Sequence, residues 1–338
     1  MSARWNDWTA AALACTVTAV IGLPSGLPSA RAEVPRQSPD DAWWTGPLLA
    51  PGASTLPVGH MLIEPYFFDA IIMGGYDHDG HRVAAPREHD YGSQSYLLYG
   101  LVDGLTVGVL PRFGFHDRGD LGHSSNVGVG DLGVVAQLRL TRFDAERRIP
   151  ALALNVTQTF PIGRYDRLGD RPTDGLGAGA FTTAASLYSQ YLFWLPNGRI
   201  LRTRLDLTYA MSSSPDLRDV SVYGTAAGFR GQAHPGAVFT VDAAWEYSVT
   251  QHWVAALDVA YERDASTAVR GMQIADDAST RASAVSIDSG VASSLSLAPA
   301  VEYNISAQVG VIAGLKLTIA GCNTARAVIP VAAINLVL

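Results

Sequence analysis

Three features of the sequence predict an all-β protein, a membrane-spanning antiparallel up-and-down β-barrel of about 12 strands. Segments whose hydrophobicity alternates with a period of two follow one another from residue 60 to residue 338. Short and long connections alternate between these segments. An export signal precedes them, in a chain with 16% charged and 48% apolar residues, whereas ordinary globular domains carry roughly 25% charged residues.

The first 32 residues have the features of a secretory signal peptide. An apolar stretch over residues 9–23 is followed by Ala30-Arg31-Ala32, which matches the A-x-A cleavage pattern. We therefore predict that residues 1–32 are removed on export to the outer membrane of a Gram-negative bacterium. Cys322 is then the one cysteine left, so no intrachain disulfide can form.

Residues 33–59 are rich in Pro, Gly and Ser and show no hydrophobic period. They are predicted to form an extended N-terminal segment. The barrel itself is predicted to occupy residues 60–338.

The alternation is clearest in residues 236–263, GAVFTVDAAWEYSVTQHWVAALDVAYER. Successive side chains on a strand point to opposite faces, so Trp245 and Leu257 share an apolar face, whereas Glu246 and Asp258 lie on the other face. Gln251-His252 separates the two runs as a tight hairpin turn. A soluble sandwich with its apolar face inward and a membrane barrel with its apolar face toward lipid both fit this hairpin alone.

The same pattern predicts the other strands in order along the chain. They are expected at about 61–71, 92–102, 105–116, 129–141, 150–160, 182–195, 199–211, 237–250, 252–263, 293–305, 307–319 and 326–338.

The lengths of the connections favour the barrel over the sandwich. Connections near 73–91, 117–128, 162–181, 212–236 and 264–292 are long, and those that alternate with them are short. Outer-membrane barrels have short periplasmic turns and long extracellular loops, whereas a sandwich has no reason to sort its connections in this way. A closed barrel also pairs every backbone polar group within the hydrocarbon layer. Both termini are then periplasmic.

Charged residues on the predicted inner face are the candidate lumen-lining and selectivity residues. Neighbouring strands bring arginines near several carboxylates, so two interpretations stay open together. The charges form ion pairs that cross-link a narrow interior, or they line a constriction that selects solutes. The candidates are Arg112, Asp131, Arg139, Arg202, Arg204, Asp206, Asp242, Glu246, Asp258, Glu262, Glu302 and Lys316.

Other motifs in the sequence do not predict a metal site, a catalytic site or a nucleic-acid interface. The segment YDHDGH at 76–81 contains metal-ligand residue types but has no regular ligand spacing, so a solvated loop is the preferred interpretation and no metal site or cofactor is predicted. No G-x-S-x-G motif occurs, and no catalytic residue is predicted. The net charge is −7 and the basic residues do not cluster, which argues against a nucleic-acid partner.

Several blocks occur in an order that resembles a known family. They are TGPLLAPGASTLPVGHMLIEPYFFD (45–69), VGDLGVVAQLRL (129–140), TFPIGRYD (159–166), DGLGAGAF (174–181), VSVYGTAAGFRG (220–231) and HWVAALDVAYE (252–262). They are similar to bacterial outer-membrane β-barrels described as transporters of the meta-pathway of phenol degradation. Such barrels usually end on an aromatic residue, whereas this chain ends on Leu338.

The resemblance implies a channel for passive or facilitated passage of small, often aromatic or apolar molecules. The expected partners are outer-membrane lipid, the outer-membrane insertion machinery and a small-molecule solute. Two alternatives stay open: an outer-membrane barrel enzyme of the esterase or lipase type, and a structural barrel whose lumen is plugged.

Overall fold

The computed structural model describes residues 34–119, 122–274 and 282–338. The predicted signal peptide, residues 1–32, lies outside the described residues. In the described part of the chain, short 3-10 helices occur at Pro39–Asp41 and Pro172–Asp174, and no helix is long and apolar enough to cross a membrane.

Antiparallel strands make up most of the described chain. They are β1 (Met61–Tyr76), β2 (Arg82–Val102), β3 (Leu105–Leu110), β4 (Arg112–Asp117), β5 (Gly128–Val129), β6 (Leu132–Thr141), β7 (Ala151–Phe160), β8 (Thr182–Trp194), β9 (Ile200–Ser212), β10 (Asp216–Arg218), β11 (Phe229–His234), β12 (Val238–Ser248), β13 (Trp253–Asp264), β14 (Ala268–Gln273), β15 (Ser283–Asp288), β16 (Ala292–Asn304), β17 (Val309–Cys322) and β18 (Thr324–Val337).

Fourteen of these strands form one closed barrel. The wall has twelve positions, which we call staves, because β3 and β4 together make one stave and β5 and β6 together make another. Each stave pairs with its neighbours in the sequence, and β1 pairs with both β2 and β18, which closes the sheet. Closure leaves no free edge in the barrel wall. The predicted antiparallel up-and-down barrel of twelve strands is confirmed.

Two staves that the sequence predicts as continuous are broken in the structure. The first break is at Pro111, between β3 and β4, because proline has no N–H to donate to the ladder. Its carbonyl still accepts the N–H of Ser95 at 3.1 Å. The second break lies at Gly130 and Asp131, between β5 and β6, where the side chain of Asp131 bonds to a loop, as described below.

Most connections sort by length, as expected, but Asn323 alone joins β17 to β18 at the end that carries the long connections. The end of the barrel that carries the turns at 103–104, 142–150, 195–199, 249–252 and 305–308 is called the short-turn end, and the opposite end is called the long-loop end. One expected long connection, 73–91, is mostly strand, because β1 and β2 continue as a hairpin to a turn at 77–81. In that turn Oδ1 of Asp77 accepts the N–H groups of Asp79 and His81 at 3.0 and 2.8 Å.

Two long connections contain a small sheet that the sequence does not predict. Strands β10, β11, β14 and β15 pair in that order at the long-loop end. They lie within the segments 212–236 and 264–292, which are expected to be loops. Their three to six residues each are too few to establish a period of two.

The barrel wall has two different faces. On β12 and β13 the side chains of Trp245 and Leu257 are 40% and 39% exposed on the outer surface, whereas Glu246 and Asp258 are completely buried on the inner side. The chain therefore places charged groups inside the barrel, where they determine what can occupy the lumen.

Candidate functional site

The N-terminal segment, residues 35–59, enters the lumen from the short-turn end, and we call it the lumen segment. Five of its side chains, including Leu48 and Ala53, are buried although they belong to no strand. Leu48 packs within a cluster of inward-facing small residues and Ile312. The inner wall has room for a peptide because its small residues are Ala256, Ala298, Ala300 and Ala333.

Two buried carboxylates hold the lumen segment by its backbone. The carboxylate of Asp258 accepts the N–H groups of Leu48, Leu49 and Ala50 at 3.1, 3.3 and 3.0 Å. The carboxylate of Glu302 accepts those of Thr45 and Gly46 at 2.7 and 3.1 Å. A charged acceptor strengthens each hydrogen bond, so five consecutive or nearly consecutive amides are fixed to the barrel wall.

Polar groups on other strands complete the attachment. Nη1 of Arg204 donates to the carbonyl of Ala50 at 2.7 Å, and Oγ1 of Thr106 accepts the N–H of Leu56 at 2.8 Å. The guanidinium of Arg202 lies 4.3 Å from the ring centroid of Trp44, a cation–π contact. The lumen segment therefore contacts strands on opposite sides of the barrel.

An ion cluster lies beside the lumen segment. Nε of Arg202 donates to Oε2 of Glu246 at 2.6 Å, and Nε of Arg204 lies 3.1 Å from the same oxygen. Glu246 is completely buried, so the two guanidinium groups offset its loss of hydration.

Asp206 and Asp242 face each other across β9 and β12 and are also buried. Among the described residues, neither oxygen of Asp206 has a hydrogen-bond partner, and Oδ1 of Asp242 also lacks one. Within the described residues, neither of these two carboxyl groups forms an ion pair with Arg202 or Arg204.

The remaining candidates from the sequence are dispersed. Asp131 accepts the N–H groups of Gly163 and Ala178 at 3.0 and 2.7 Å, which ties the connection 161–181 to the wall. Glu262 is exposed, and Lys316 has no ion pair within 4.0 Å in the described part of the chain. The structure therefore groups five of the candidates around residues 44–50 of the lumen segment: Arg202, Arg204, Glu246, Asp258 and Glu302.

Arg139 has a local role at the short-turn end. Its Nη2 donates to Oδ1 of Asp103 at 2.8 Å, and its Nη1 donates to Oγ1 of Thr55 in the lumen segment at 3.2 Å. The hydrogen bond from this guanidinium holds the pKa of Asp103 below its usual value.

A cavity of about 1090 Å³ occupies the lumen toward the long-loop end, and we call it the chamber. Pro51 of the lumen segment and residues 175–178 of a long loop both line it. The hydroxyl of Tyr223, also in the lining, donates to the carbonyl of Ala178 at 2.7 Å, and burial raises its pKa to about 12. The walls of the chamber combine aromatic rings with hydroxyl and amide groups. These groups belong to Phe68, Tyr96, Tyr188, Gln137, Asn155 and Thr157, among other residues.

The structure gives little support to catalytic or metal chemistry. No group of three or more His, Cys, Asp or Glu residues in the described ranges is arranged to hold a metal ion. Oγ of Ser214 lies 2.7 Å from Nδ1 of His234 in an exposed region at the long-loop end. A catalytic histidine needs a third group to orient it, and none of the described residues hydrogen-bonds the other nitrogen of His234.

The sequence does not identify the lumen segment or the chamber. Residues 45–56 have no period of two, and their contacts are to side chains about 50 to 260 residues further along the chain. One signal in the sequence was available, namely the repeated alanines at inward positions of β13, β16 and β18, which leave space inside the barrel.

Comparisons with known proteins agree with this fold. A family model described as "Putative MetA-pathway of phenol degradation" matches residues 76–313. No curated protein matches the sequence. The crystal structure of the COG4313 outer membrane channel from Pseudomonas putida F1 superposes with a TM-score of 0.64 at 19% identity, over 86% of this chain and 100% of that chain. At this identity the likeness shows a common fold.

Two other barrels are less similar. The β domain of the Bordetella autotransporter BrkA has a TM-score of 0.42 at 12% identity, over 83% of this chain and 100% of that chain. A TodX ΔS2S3 mutant monoaromatic hydrocarbon channel has a TM-score of 0.37 at 10% identity, over 90% of this chain and 97% of that chain.

Proposed function

The chain belongs to the "Putative MetA-pathway of phenol degradation" family, whose model spans 238 of its 338 residues, and on that premise we propose that it is an outer-membrane channel for small aromatic or apolar molecules. The short-turn end faces the periplasm and the long-loop end faces the outside. The protein is exported through its signal peptide, folds with the outer-membrane insertion machinery and acts without catalysis.

The chamber is the observation that carries this proposal. It lies inside a closed barrel, its volume of about 1090 Å³ slightly exceeds the roughly 300–1,000 Å³ of small-molecule sites, and aromatic rings form part of its wall. A single-ring molecule fits such a space, and the lining side chains of Phe68 and Tyr188 offer it apolar contact. The family description adds phenol-type compounds as the first solutes to test.

The lumen segment is the gate in this proposal. It fills the periplasmic half of the lumen and forms part of the chamber floor at Pro51, so solute passes when the segment moves away from Asp258 and Glu302. Hydrogen bonds and small apolar contacts hold the segment against the barrel wall, and such contacts can be exchanged for water.

A disulfide can test the gate. A Cβ atom built on Gly310 lies 3.3 Å from Cβ of Thr45, close to the roughly 3.5–4.5 Å of natural disulfides. We propose the double variant Thr45→Cys/Gly310→Cys with Cys322→Ser, refolded and inserted into planar bilayers. Oxidised channels should stay closed, whereas reduced channels should show current steps that phenol, added on the long-loop side, reversibly reduces.

The same protein in its two redox states is its own control, and Thr45→Cys/Cys322→Ser alone should not respond to reductant. Current in both states would show that the lumen segment is not the barrier. Absence of current in the reduced state would favour the alternative of a plugged structural barrel and would overturn the channel.

A further inference from the structure

The chamber contains one arginine whose charge is not used by the fold. Arg112 is the first residue of β4, directly after the break at Pro111, and its side chain is exposed into the chamber. Among the described residues it forms no salt bridge and no side-chain hydrogen bond. Arginine carries five N–H donors in a planar fork, and these are normally engaged when the side chain serves a structural role.

The carboxylates around the chamber are already engaged. Asp90 accepts hydrogen bonds from His116 and Arg118, and Arg118 also contacts Glu88. Both oxygens of Asp131 accept backbone N–H groups, as described above. The two carboxylates that line the chamber, Asp90 and Asp131, are thus bound to other groups, and the guanidinium of Arg112 is left to bind an anion in the chamber.

The surroundings of Arg112 suit a small planar ligand. Gln94 lies opposite it in the ladder between β2 and β4, and the Gln94 amide donates to the hydroxyl of Tyr96 at 3.0 Å. Leu176 packs close to Gly114 and Gly128, so the wall beside Arg112 combines apolar and polar surface. A guanidinium binds a carboxylate through two parallel hydrogen bonds, while apolar and aromatic walls accept a ring.

We propose that the chamber binds small aromatic monocarboxylates, with the carboxylate on Arg112 and the ring against the chamber walls. This inference rests on the proposed function, because it names the class of solute that the channel captures from outside. Asp206 and Asp242 lie closer to the short-turn end than the lining residues Thr208 and Val238. Pro51 of the lumen segment bounds the chamber toward that end, so the anion is held at Arg112 while the lumen segment is in place.

Equilibrium binding tests this proposal without requiring passage. Binding of 4-fluorobenzoate and of 4-fluorophenol to the refolded full-length barrel in detergent can be measured by ¹⁹F NMR, with empty micelles as the blank. The wild type should bind 4-fluorobenzoate more tightly than 4-fluorophenol. Arg112→Gln should weaken binding of 4-fluorobenzoate about tenfold or more, as expected for a lost charged hydrogen bond, and leave 4-fluorophenol almost unchanged.

The matched control is Arg263→Gln, since Arg263 is an exposed arginine on β13 outside the chamber lining. It should bind both compounds like the wild type. Equal binding of 4-fluorobenzoate by Arg112→Gln and wild type would overturn the proposal, as would absence of saturable binding. If 4-fluorobenzoate fails to bind while the reduced disulfide variant conducts, only this inference is wrong; if it binds while that variant never conducts, the channel function is wrong.

Discussion

Arg202 and Glu246 face each other across strands β9 and β12 and form a bidentate ion pair inside the barrel, with Nε of Arg202 2.6 Å from Oε2 of Glu246. Arg204 lies against the same carboxylate. Two guanidinium groups therefore share one buried carboxylate, and both arginines also contact the lumen segment. This pair links the barrel wall to the peptide that fills it.

Removal of the shared carboxylate should be strongly destabilising. Glu246→Gln leaves two buried arginines without their main partner, and breaking a buried ion pair in this way costs about 3–5 kcal/mol. We expect a loss of that order in the free energy of unfolding, measured by urea titration of the barrel refolded in liposomes. Glu262→Gln is the control, because Glu262 is exposed on the same hairpin and should change stability by less than about 0.5 kcal/mol. Equal effects of the two variants would contradict the role given to Glu246.

The barrel could be predicted because each stave carries its own signal. Period two assigns the side chains of Trp245 and Glu246 to opposite faces from their neighbours alone, and the exposed fractions of 40% and 0% agree with that assignment. The break at Pro111 is also a local effect of a missing N–H. By contrast, the hairpin beyond residue 72 is polar and lacks alternation, so its continued pairing is not visible in the sequence.

The contents of the lumen could not be predicted because they depend on distant partners. The alternation of side chains along β13 places Asp258 inside the barrel. The charges on the neighbouring strands suggest that its partner is Arg202 or Arg204. In the structure its carboxylate instead accepts the backbone N–H groups of Leu48, Leu49 and Ala50. These residues precede Asp258 by 208 to 210 positions in the chain. Period two gives the direction of a side chain and contains no information about a peptide that enters from elsewhere.

The long-loop end should respond to acid through Asp174. Its carboxylate accepts the N–H and the hydroxyl of Ser125 at 2.7 and 2.8 Å, and the hydrogen bond from the Ser125 N–H is the main reason why the pKa of Asp174 is lowered. A carboxyl group with a lowered pKa in the folded state stabilises the fold above its unfolded pKa, near 3.8, and loses this contribution as the pH falls through the folded value.

We therefore expect the contact between residues 122–127 and the connection 161–181 to be unaffected between pH 8 and about pH 5 and to weaken below about pH 4. Hydrogen exchange of peptides from 161–181, corrected for the intrinsic effect of pH, should show the loss. Asp174→Asn should be exchange-labile at both pH values and should remove the difference. A variant that keeps the wild-type pH response would assign it to another group.

The outer face of the β12–β13 hairpin can be tested by charges placed at different depths in the bilayer. Leu257 lies midway along β13 between the exposed aromatic residues Trp253 and Tyr261, whose rings suit the two membrane interfaces. An arginine on the lipid face costs roughly 2–4 kcal/mol at the midplane of the bilayer and about 0–1 kcal/mol near an interface. Leu257→Arg should therefore refold poorly into liposomes, as read from heat-modified gel mobility, whereas Tyr261→Arg on the same face should refold nearly as well as wild type. The two variants add the same charge to one strand four residues apart, so a difference between them reports the depth of the hydrocarbon layer. Refolding of both variants at the wild-type level would mean that this face does not contact lipid.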